Sequence, residues 1–249
     1  MTQPETLQPD ATPSRALPIG GAFNARDIGG YDTPAGPIAW RRLMRSGGLD
    51  AIDDADRAVL AELGVRTVLD LRRDEELETR PNQLGELNVR TIRVSITPGS
   101  LTSEPDAMPT LTDIYTAIVE SSGPALAEAI NVLAEPAALP AWVHCTAGKD
   151  RTGVVVALVL ALVGVDDQVI IEDYAVSEAL LGTAFVERLS AGNPDIAEIA
   201  SDLLASPPAL IASVLEQIRA SHGGVAEFLV HHGMDPAAPD RLRAALVEP

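Results

Sequence analysis

The sequence predicts an α/β protein in which helices cover a central sheet. Short runs rich in β-branched residues alternate with helical segments along the chain, and this alternation is typical of such folds. The chain has 249 residues, of which 46% are hydrophobic, so one large domain with a buried core is expected. Residues 1–17 are rich in Pro and Thr and contain no apolar run, which predicts a disordered tail before a single domain at 18–249.

In the first half of the chain, turn residues mark the ends of the predicted elements. Asp53 can cap a helix that ends at Gly64. The β-branched run at 65–71 follows at once and predicts a buried strand, and a second strand is predicted at 89–96. Residues 97–109 are polar and rich in Pro and Gly, which indicates a loop long enough to contact substrate.

The second half is predicted to be mainly helical, with one strand. That strand, at 140–144, leads directly into Cys145. The helices, whose ends are set by Gly and Pro, are predicted at 111–120, 124–134, from Arg151 to Gly164, at 167–181, and again within 183–249.

The charge balance argues against polyanionic partners. A formal net charge of −18 and only 3% aromatic residues make nucleic acid and anionic membrane surfaces poor partners. The longest strongly apolar run, 154–163, is too short to span a bilayer, so no integral membrane association is expected. The single cysteine suits a reducing cytosol, and a cytoplasmic location is expected, although export without a recognisable signal stays a second reading.

The segment His144–Gly153, HCTAGKDRTG, lies between the predicted strand and the next helix. The backbone N–H groups of such a loop converge on its centre and the helix dipole adds positive potential, which makes a site for phosphate. Arg151 follows Cys145 by six residues, so its guanidinium can return to grip two phosphate oxygens. The same field favours the thiolate form of Cys145, and Thr152 could donate a hydrogen bond to it.

The residues of this loop also permit other interpretations. Cys145 could be a buried structural thiol, although polar and charged loop residues surround it. A Walker A loop is excluded because Asp150 stands where Ser or Thr is required. A rhodanese-type sulfurtransferase also places a thiolate in an anion-binding loop, and a catalytically inactive phosphate-binding module would retain the same backbone.

The segment HCTAGKDRTG resembles the HCxxGxxR[ST] signature loop of the protein tyrosine phosphatase superfamily. With its Ala-Gly-Lys-Asp-Arg core it is similar to the bacterial tyrosine phosphatase family 3, a group that includes secreted mycobacterial and listerial phosphatases of broad specificity. Further segments that resemble this group are NARDIGGY at 24–31, LMRS at 43–46, VLDLR at 68–72, and 162–177 with its Asp173-Tyr174 pair.

This resemblance implies a tyrosine phosphatase-like fold of the dual-specificity type, with a central, mostly parallel sheet flanked by helices and extra C-terminal helices. It implies a phosphoric monoester hydrolase, a protein-tyrosine phosphatase that acts through a phosphocysteine. The substrate would be a phosphorylated protein or a small phosphomonoester, with phosphoserine, phosphothreonine and phosphoinositides as further candidates. No metal and no cofactor are implied.

The resemblance also implies roles for the loop residues. Cys145 would be the nucleophile, Arg151 the phosphate ligand, and His144 a supporting residue that tunes the thiolate. The remaining loop positions implied to bind substrate are Thr146, Ala147, Gly148, Lys149 and Thr152, the last also assisting release of the thiolate in the second step.

Two aspartates are candidates for the general acid. Asp150 is favoured because it lies inside the loop, within side-chain reach of the phosphate, and its alternative role is to brace the loop. Asp70, in the DLR segment, is the second candidate, and its alternative role is a structural salt bridge with Arg26 or Arg72. Lys149 would meet extra phosphates of a substrate or else face solvent.

Overall fold

Five strands form the central sheet in a computed structural model that describes residues 14–97, 110–190 and 204–248. The strand order is β1-β4-β7-β5-β6, and every neighbouring pair is parallel except β1 with β4. A separate two-stranded hairpin joins β2 to β3. The strands are β1 Arg26–Asp27, β2 Asp32–Thr33, β3 Gly36–Pro37, β4 Leu43–Ser46, β5 Thr67–Asp70, β6 Arg90–Arg93 and β7 Ala141–His144.

Helices lie on both faces of the sheet. They are α1 Asp54–Glu62, α2 Asp74–Thr79, α3 Leu111–Ser121, α4 Gly123–Leu133, α5 Asp150–Val163, α6 Asp167–Ala175, α7 Ser177–Ser190, α8 Pro208–His222, α9 Val225–His231 and α10 Ala238–Leu246. The mostly parallel, helix-flanked sheet and the C-terminal helices α8 to α10 confirm the predicted fold class.

Strands β4, β5 and β7 are buried at every position, as expected for parallel strands covered on both faces. Successive side chains of β7 point to opposite faces of the sheet and enter two different hydrophobic clusters. Val143 belongs to the larger cluster, which includes α5, and Trp142 belongs to the smaller cluster, which includes Leu60 of α1. The apolar run 154–163 is the buried interior of α5, as the sequence predicted. α5 packs against α4, α6, α8, α9 and α10.

The register of the sheet places the site. Ser46 and Asp70, at the carboxyl ends of β4 and β5, both pair with His144 at the end of β7. In open α/β sheets, ligands bind beyond the carboxyl ends of the strands. The loop that begins at Cys145 lies at this edge.

Several local predictions are confirmed. Asp53 accepts hydrogen bonds from the Ala55 and Asp56 N–H groups and begins α1, and Gly64 follows that helix with φ +65°. Of the predicted substrate loop 97–109, residues 98–109 lie outside the described residues, as do residues 191–203 within the predicted C-terminal helical region.

The helix predicted at 167–181 is divided into two at Val176, and non-helical backbone at Gly182 (φ +55°) directly follows its predicted end. Ser177 begins the second one and is fully buried, with its hydroxyl accepting a hydrogen bond from Arg26 Nη2 at 3.2 Å. A partner so distant in sequence could not be read from local periodicity.

Of the predicted tail at 1–17, residues 1–13 lie outside the described residues. The Leu17 N–H donates to the Ala25 carbonyl at 3.2 Å, and the Arg15 guanidinium lies over the Tyr31 ring, 3.6 Å from its centroid. None of the helices within 14–97, 110–190 and 204–248 has the length and apolarity that crossing a membrane requires.

Candidate active site

The signature loop connects the end of β7 to the first turn of α5 and depends on Gly148 for its shape. Gly148 has φ +70°, and a Cβ there would lie 2.3 Å from the Ser46 carbonyl oxygen. Any other residue would therefore clash with the end of β4. The Gly148 carbonyl accepts hydrogen bonds from Asn24 Nδ2 at 2.9 Å and from Arg45 Nη2 at 2.8 Å.

A buried ion cluster supports the loop from behind. Asp173 Oδ1 accepts from Arg26 Nε at 3.0 Å, and its Oδ2 accepts from Arg45 Nη1 at 2.6 Å. The Tyr31 hydroxyl donates to the same carboxylate at 3.1 Å. Burial would raise the pKa of Asp173, but the two guanidinium charges lower it to about 2. The three segments 24–31, 43–46 and 162–177, which resemble the phosphatase family, therefore meet in this cluster next to the loop.

Cys145 and His144 are almost completely enclosed. The Cys145 side chain is 2% exposed, and His144 is fully buried directly before it. His144 Nδ1 lies 3.3 Å from the Cys145 carbonyl oxygen, and its Nε2 lies 3.5 Å from Asp70 Oδ2. Burial lowers the pKa of His144 below its ordinary value, so the imidazole is neutral at pH 7.

The Thr152 hydroxyl, predicted to donate to the thiolate, has no hydrogen-bond partner among the described residues, although it is buried. It lies within the first turn of α5.

Arg151 is held by a carboxylate that the sequence did not single out. Its Nη1 lies 2.7 Å from Glu76 Oε2 and its Nη2 lies 2.8 Å from Glu76 Oε1, a bidentate pair. Glu76 Oε1 also accepts from the Thr146 hydroxyl, which in turn lies 3.3 Å from Arg151 Nη2. Burial would raise the pKa of Glu76, but the hydrogen bonds from Arg151 lower it well below its ordinary range.

Glu76 escaped sequence reasoning because nothing local marks it. It lies on α2, 75 residues from Arg151, within an acidic DEELET run that reads as a solvated helix. Only the placement of α2 beside the loop shows its contact. The one sequence feature that could have pointed to Glu76 is its position on α2, which directly follows the DLR segment.

Lys149 does not face solvent, so that alternative is wrong. Its side chain is buried, and Nζ donates to the Ala205 carbonyl at 2.9 Å. The same ammonium lies 3.3 Å from Asp150 Oδ1. Asp150 begins α5 with a side chain that is 26% exposed, and its buried Oδ1 is the oxygen that faces this ammonium.

Asp70 is engaged by other side chains. Arg72 Nη2 lies 2.7 Å from its Oδ2, and Asn82 Nδ2 donates to the same oxygen at 3.0 Å. Burial would raise the pKa of Asp70, but its bonds to Arg72 lower it. This is the structural salt bridge with Arg72 that the sequence offers as the alternative role of Asp70.

A cavity of about 300 Å³ opens beside the loop. Phe23 and Phe185 form an edge-to-face pair in its wall, with ring centroids 5.2 Å apart. Thr146 and Glu76 line the side nearest Cys145 and Arg151. Across residues 14–97, 110–190 and 204–248, no cluster of three or more His, Cys, Asp or Glu side chains could hold a metal ion.

A cysteine directly after a parallel strand, a glycine-dependent loop and an arginine in the first turn of the following helix form the arrangement of a cysteine-dependent phosphatase. The model of the tyrosine phosphatase family matches residues 17–248, so the chain belongs to this family. The resemblance noted in the sequence is thereby confirmed.

The chain is also similar to individual known proteins. The chain is 29% identical to the triple specificity protein phosphatase PtpB of Mycobacterium tuberculosis, over 94% of this chain and 99% of that protein. It is 33% identical to a tyrosine-protein phosphatase of Nostoc commune over 54% of this chain and 47% of the relative. Among solved structures, TpbA of P. aeruginosa matches 65% of this chain and 86% of its own, with 20% identity and a TM-score of 0.35.

Proposed function

We propose that this tyrosine phosphatase hydrolyses phosphate monoesters through a covalent phosphocysteine at Cys145. The observation that carries the proposal is the position of Cys145 at the start of a loop whose far end presents Arg151, fixed in place by Glu76. Positive groups around one nucleophile are what phosphoryl transfer requires, because its catalysis is mainly positioning and electrostatic stabilisation.

In the first step the Cys145 sulfur anion attacks phosphorus, the S–P bond forms and the P–O bond to the leaving group breaks. Arg151 and the loop N–H groups hold the equatorial oxygens, and Asp150 gives its proton to the departing oxygen. In the second step water attacks phosphorus, Asp150 takes the water proton, and the S–P bond breaks to release phosphate and the thiolate.

Asp150 is a better general acid than Asp70 on the geometry of the two carboxylates. Asp70 is 1% exposed and already engaged by Arg72 and Asn82. Asp150 is partly exposed and lies next to Arg151, and its Oδ1 forms an ion pair with Lys149 Nζ at 3.3 Å, a looser arrangement than the two close bonds to Asp70.

For the substrate we propose phosphotyrosine in proteins, with phosphoserine and phosphothreonine as weaker substrates. The Lys149 ammonium is turned onto the Ala205 carbonyl and towards Asp150, an arrangement that disfavours its use for the extra phosphates of a phosphoinositide. The single cysteine suits a reducing compartment, so we propose a cytoplasmic location for the enzyme.

Replacement of the nucleophile tests this proposal. Cys145→Ser is expected to abolish hydrolysis of p-nitrophenyl phosphate while retaining binding of a phosphotyrosine peptide, measured by calorimetry. Full activity of the variant would refute the phosphocysteine. Thiocyanate formation from thiosulfate and cyanide by the wild type would instead favour the sulfurtransferase, and phosphate binding without turnover would indicate an inactive binding module. Matched phosphotyrosine, phosphoserine and phosphoinositide substrates test the specificity.

A further inference from the structure

Arg80 presents a guanidinium that the steps above do not use. It is partly buried at the carboxyl end of α2 and lines the cavity beside the signature loop. Within residues 14–97, 110–190 and 204–248, this guanidinium forms no hydrogen bond and no ion pair. A partly buried cation without a counter-ion is unfavourable, because it loses hydration that no protein group replaces. Such a group in a cavity wall is suited to an anionic ligand.

The carboxylate that could neutralise Arg80 is engaged elsewhere. Glu76 precedes Arg80 by four positions, the spacing at which a Glu–Arg pair normally forms on a helix, and both residues line the same cavity. Glu76 instead directs its two carboxylate oxygens to Arg151, at 2.7 and 2.8 Å. The charge of Arg80 therefore remains available to another partner.

The backbone that carries Arg80 is fixed. Its N–H donates to the Glu76 carbonyl at 3.0 Å, and its carbonyl accepts from Arg72 Nη1 at 2.7 Å. Arg72 is itself 1% exposed and paired with Asp70 at 2.7 Å. Pro81 follows and restricts the backbone of Arg80 further. A ligand that meets Arg80 therefore needs to order only a side chain, which lowers the cost of binding.

The cavity around Arg80 is locally positive. Four arginines and three carboxylates line it, whereas the whole chain has 18 basic and 36 acidic residues. Arg72 and Arg188 are each paired with a carboxylate. Arg73 is 52% exposed and has its Nε 3.2 Å from Glu76 Oε2. Glu75 is exposed and forms no ion pair in the part of the chain that the structure describes.

The cavity has room for more than a phosphate group. Its volume of about 300 Å³ is at the lower end of the range for sites that enclose a small organic ligand. Thr146 and Glu76 line the end nearest the catalytic loop, and Phe23 and Phe185 form an apolar wall. Arg80 lies one helical turn, about 5 Å along α2, beyond Glu76. An anion at Arg80 would therefore be a second group of the same substrate.

We propose that Arg80, with Arg73 beside it, binds the carboxylate of an Asp or Glu side chain within two positions of the phosphorylated tyrosine. This inference rests on the proposed function, in which phosphotyrosine in proteins is the substrate. It adds a preference for acidic flanking sequence. The net charge of −18 repels such a peptide at long range, so the preference comes from short-range contacts in the cavity.

The test uses phosphotyrosine peptides that carry Glu, Gln or Lys at each of the two positions on either side of the tyrosine. For wild type, kcat/KM for the Glu peptide should exceed that for the Gln peptide about tenfold at one or more positions, the effect of one hydrogen bond between charged groups. Arg80→Gln should remove this preference. Arg80→Glu should reverse it, so that the Lys peptide is favoured, which a purely structural role of Arg80 would not produce.

Each preference is a ratio within one variant, so a general loss of activity cancels. Arg66→Gln is the matched control, because Arg66 is exposed before β5, outside the cavity, and its replacement removes the same charge. It should keep the wild-type ratio. Arg80→Lys should keep part of it, since an ammonium retains the charge but not the bidentate geometry. The wild-type ratio should also shrink as salt is raised, a measurement that needs no variant.

Equal kcat/KM for the Glu and Gln peptides at every position in wild type would overturn the site, as would a preference that survives Arg80→Glu. An Arg80-dependent preference for a phosphoinositide over every peptide would also overturn it, because the guanidinium would then bind a second phosphate. Failure of wild type to hydrolyse any phosphotyrosine peptide would instead count against the proposed function itself.

Discussion

Glu76 gives the sharpest prediction, because it holds the terminal nitrogens of Arg151 that are expected to bind phosphate. Glu76→Gln keeps the shape of the side chain but replaces one acceptor oxygen by an NH₂ group facing the guanidinium. One of the two bonds at 2.7 and 2.8 Å is then lost. A hydrogen bond to a charged group is worth about 1.5–3 kcal/mol, and Glu76 is 19% exposed, so the lower figure applies.

A loss of about 1.4 kcal/mol is a tenfold change, so kcat/KM for p-nitrophenyl phosphate should fall about tenfold. We expect the loss mainly in KM, because Arg151 would no longer be fixed where the phosphate binds. Steady-state kinetics and calorimetric titration with vanadate measure both effects. Glu78→Gln is the control, since it removes the same charge from the same helix at an exposed position. Unchanged or tighter binding in Glu76→Gln would refute the reasoning and indicate that Glu76 competes with phosphate for Arg151.

Three further predictions concern the loop and its support. Gly148→Ala should lower kcat/KM at least about a hundredfold, because the added Cβ would lie 2.3 Å from the Ser46 carbonyl oxygen. Gly64→Ala is the control, since Gly64 has a similar φ of +65° but no neighbour within 4 Å. It should cost about 1 kcal/mol of stability and leave kcat unchanged. Asp173→Asn leaves two buried arginines without their carboxylate and should lower the free energy of unfolding in urea by about 3–5 kcal/mol; a loss below about 1 kcal/mol would contradict this. Because the pKa of Asp173 is lowered from 3.8 to about 2, its stabilisation is complete above pH 4 and is lost as the pH falls towards 2, so wild-type stability should drop in that window more than that of Asp173→Asn.

Local patterns predicted the parts of this fold that depend on neighbouring residues. The cap at Asp53, the strands around 67–70 and 141–144 and the buried helix α5 all follow from capping chemistry and apolar periodicity. The division between α6 and α7 at Val176 was not predicted, and neither was the buried contact of Ser177 with Arg26, which lies 151 residues away.

The signature segment shows how far the sequence reaches into the site. A strand, a cysteine, a glycine with positive φ and an arginine at a helix start lie within ten residues, so their proximity is fixed by chain connectivity. The same holds for Asp150, which lies in that segment. Chain connectivity does not determine whether the Lys149 side chain is buried, because a long side chain can point into the protein or into solvent from the same backbone position.

The sequence by itself therefore determined the chemical class of this protein: a thiol, an anion-binding loop and a guanidinium, contiguous in one segment. Only the tertiary structure decided which groups hold that segment. Glu76 reaches Arg151 from another helix, and the Asp173 cluster braces Gly148 through Arg45. The physical reason is that an ion pair or a buried hydroxyl contact between distant residues depends on how helices pack onto the sheet, and no short-range pattern encodes that packing.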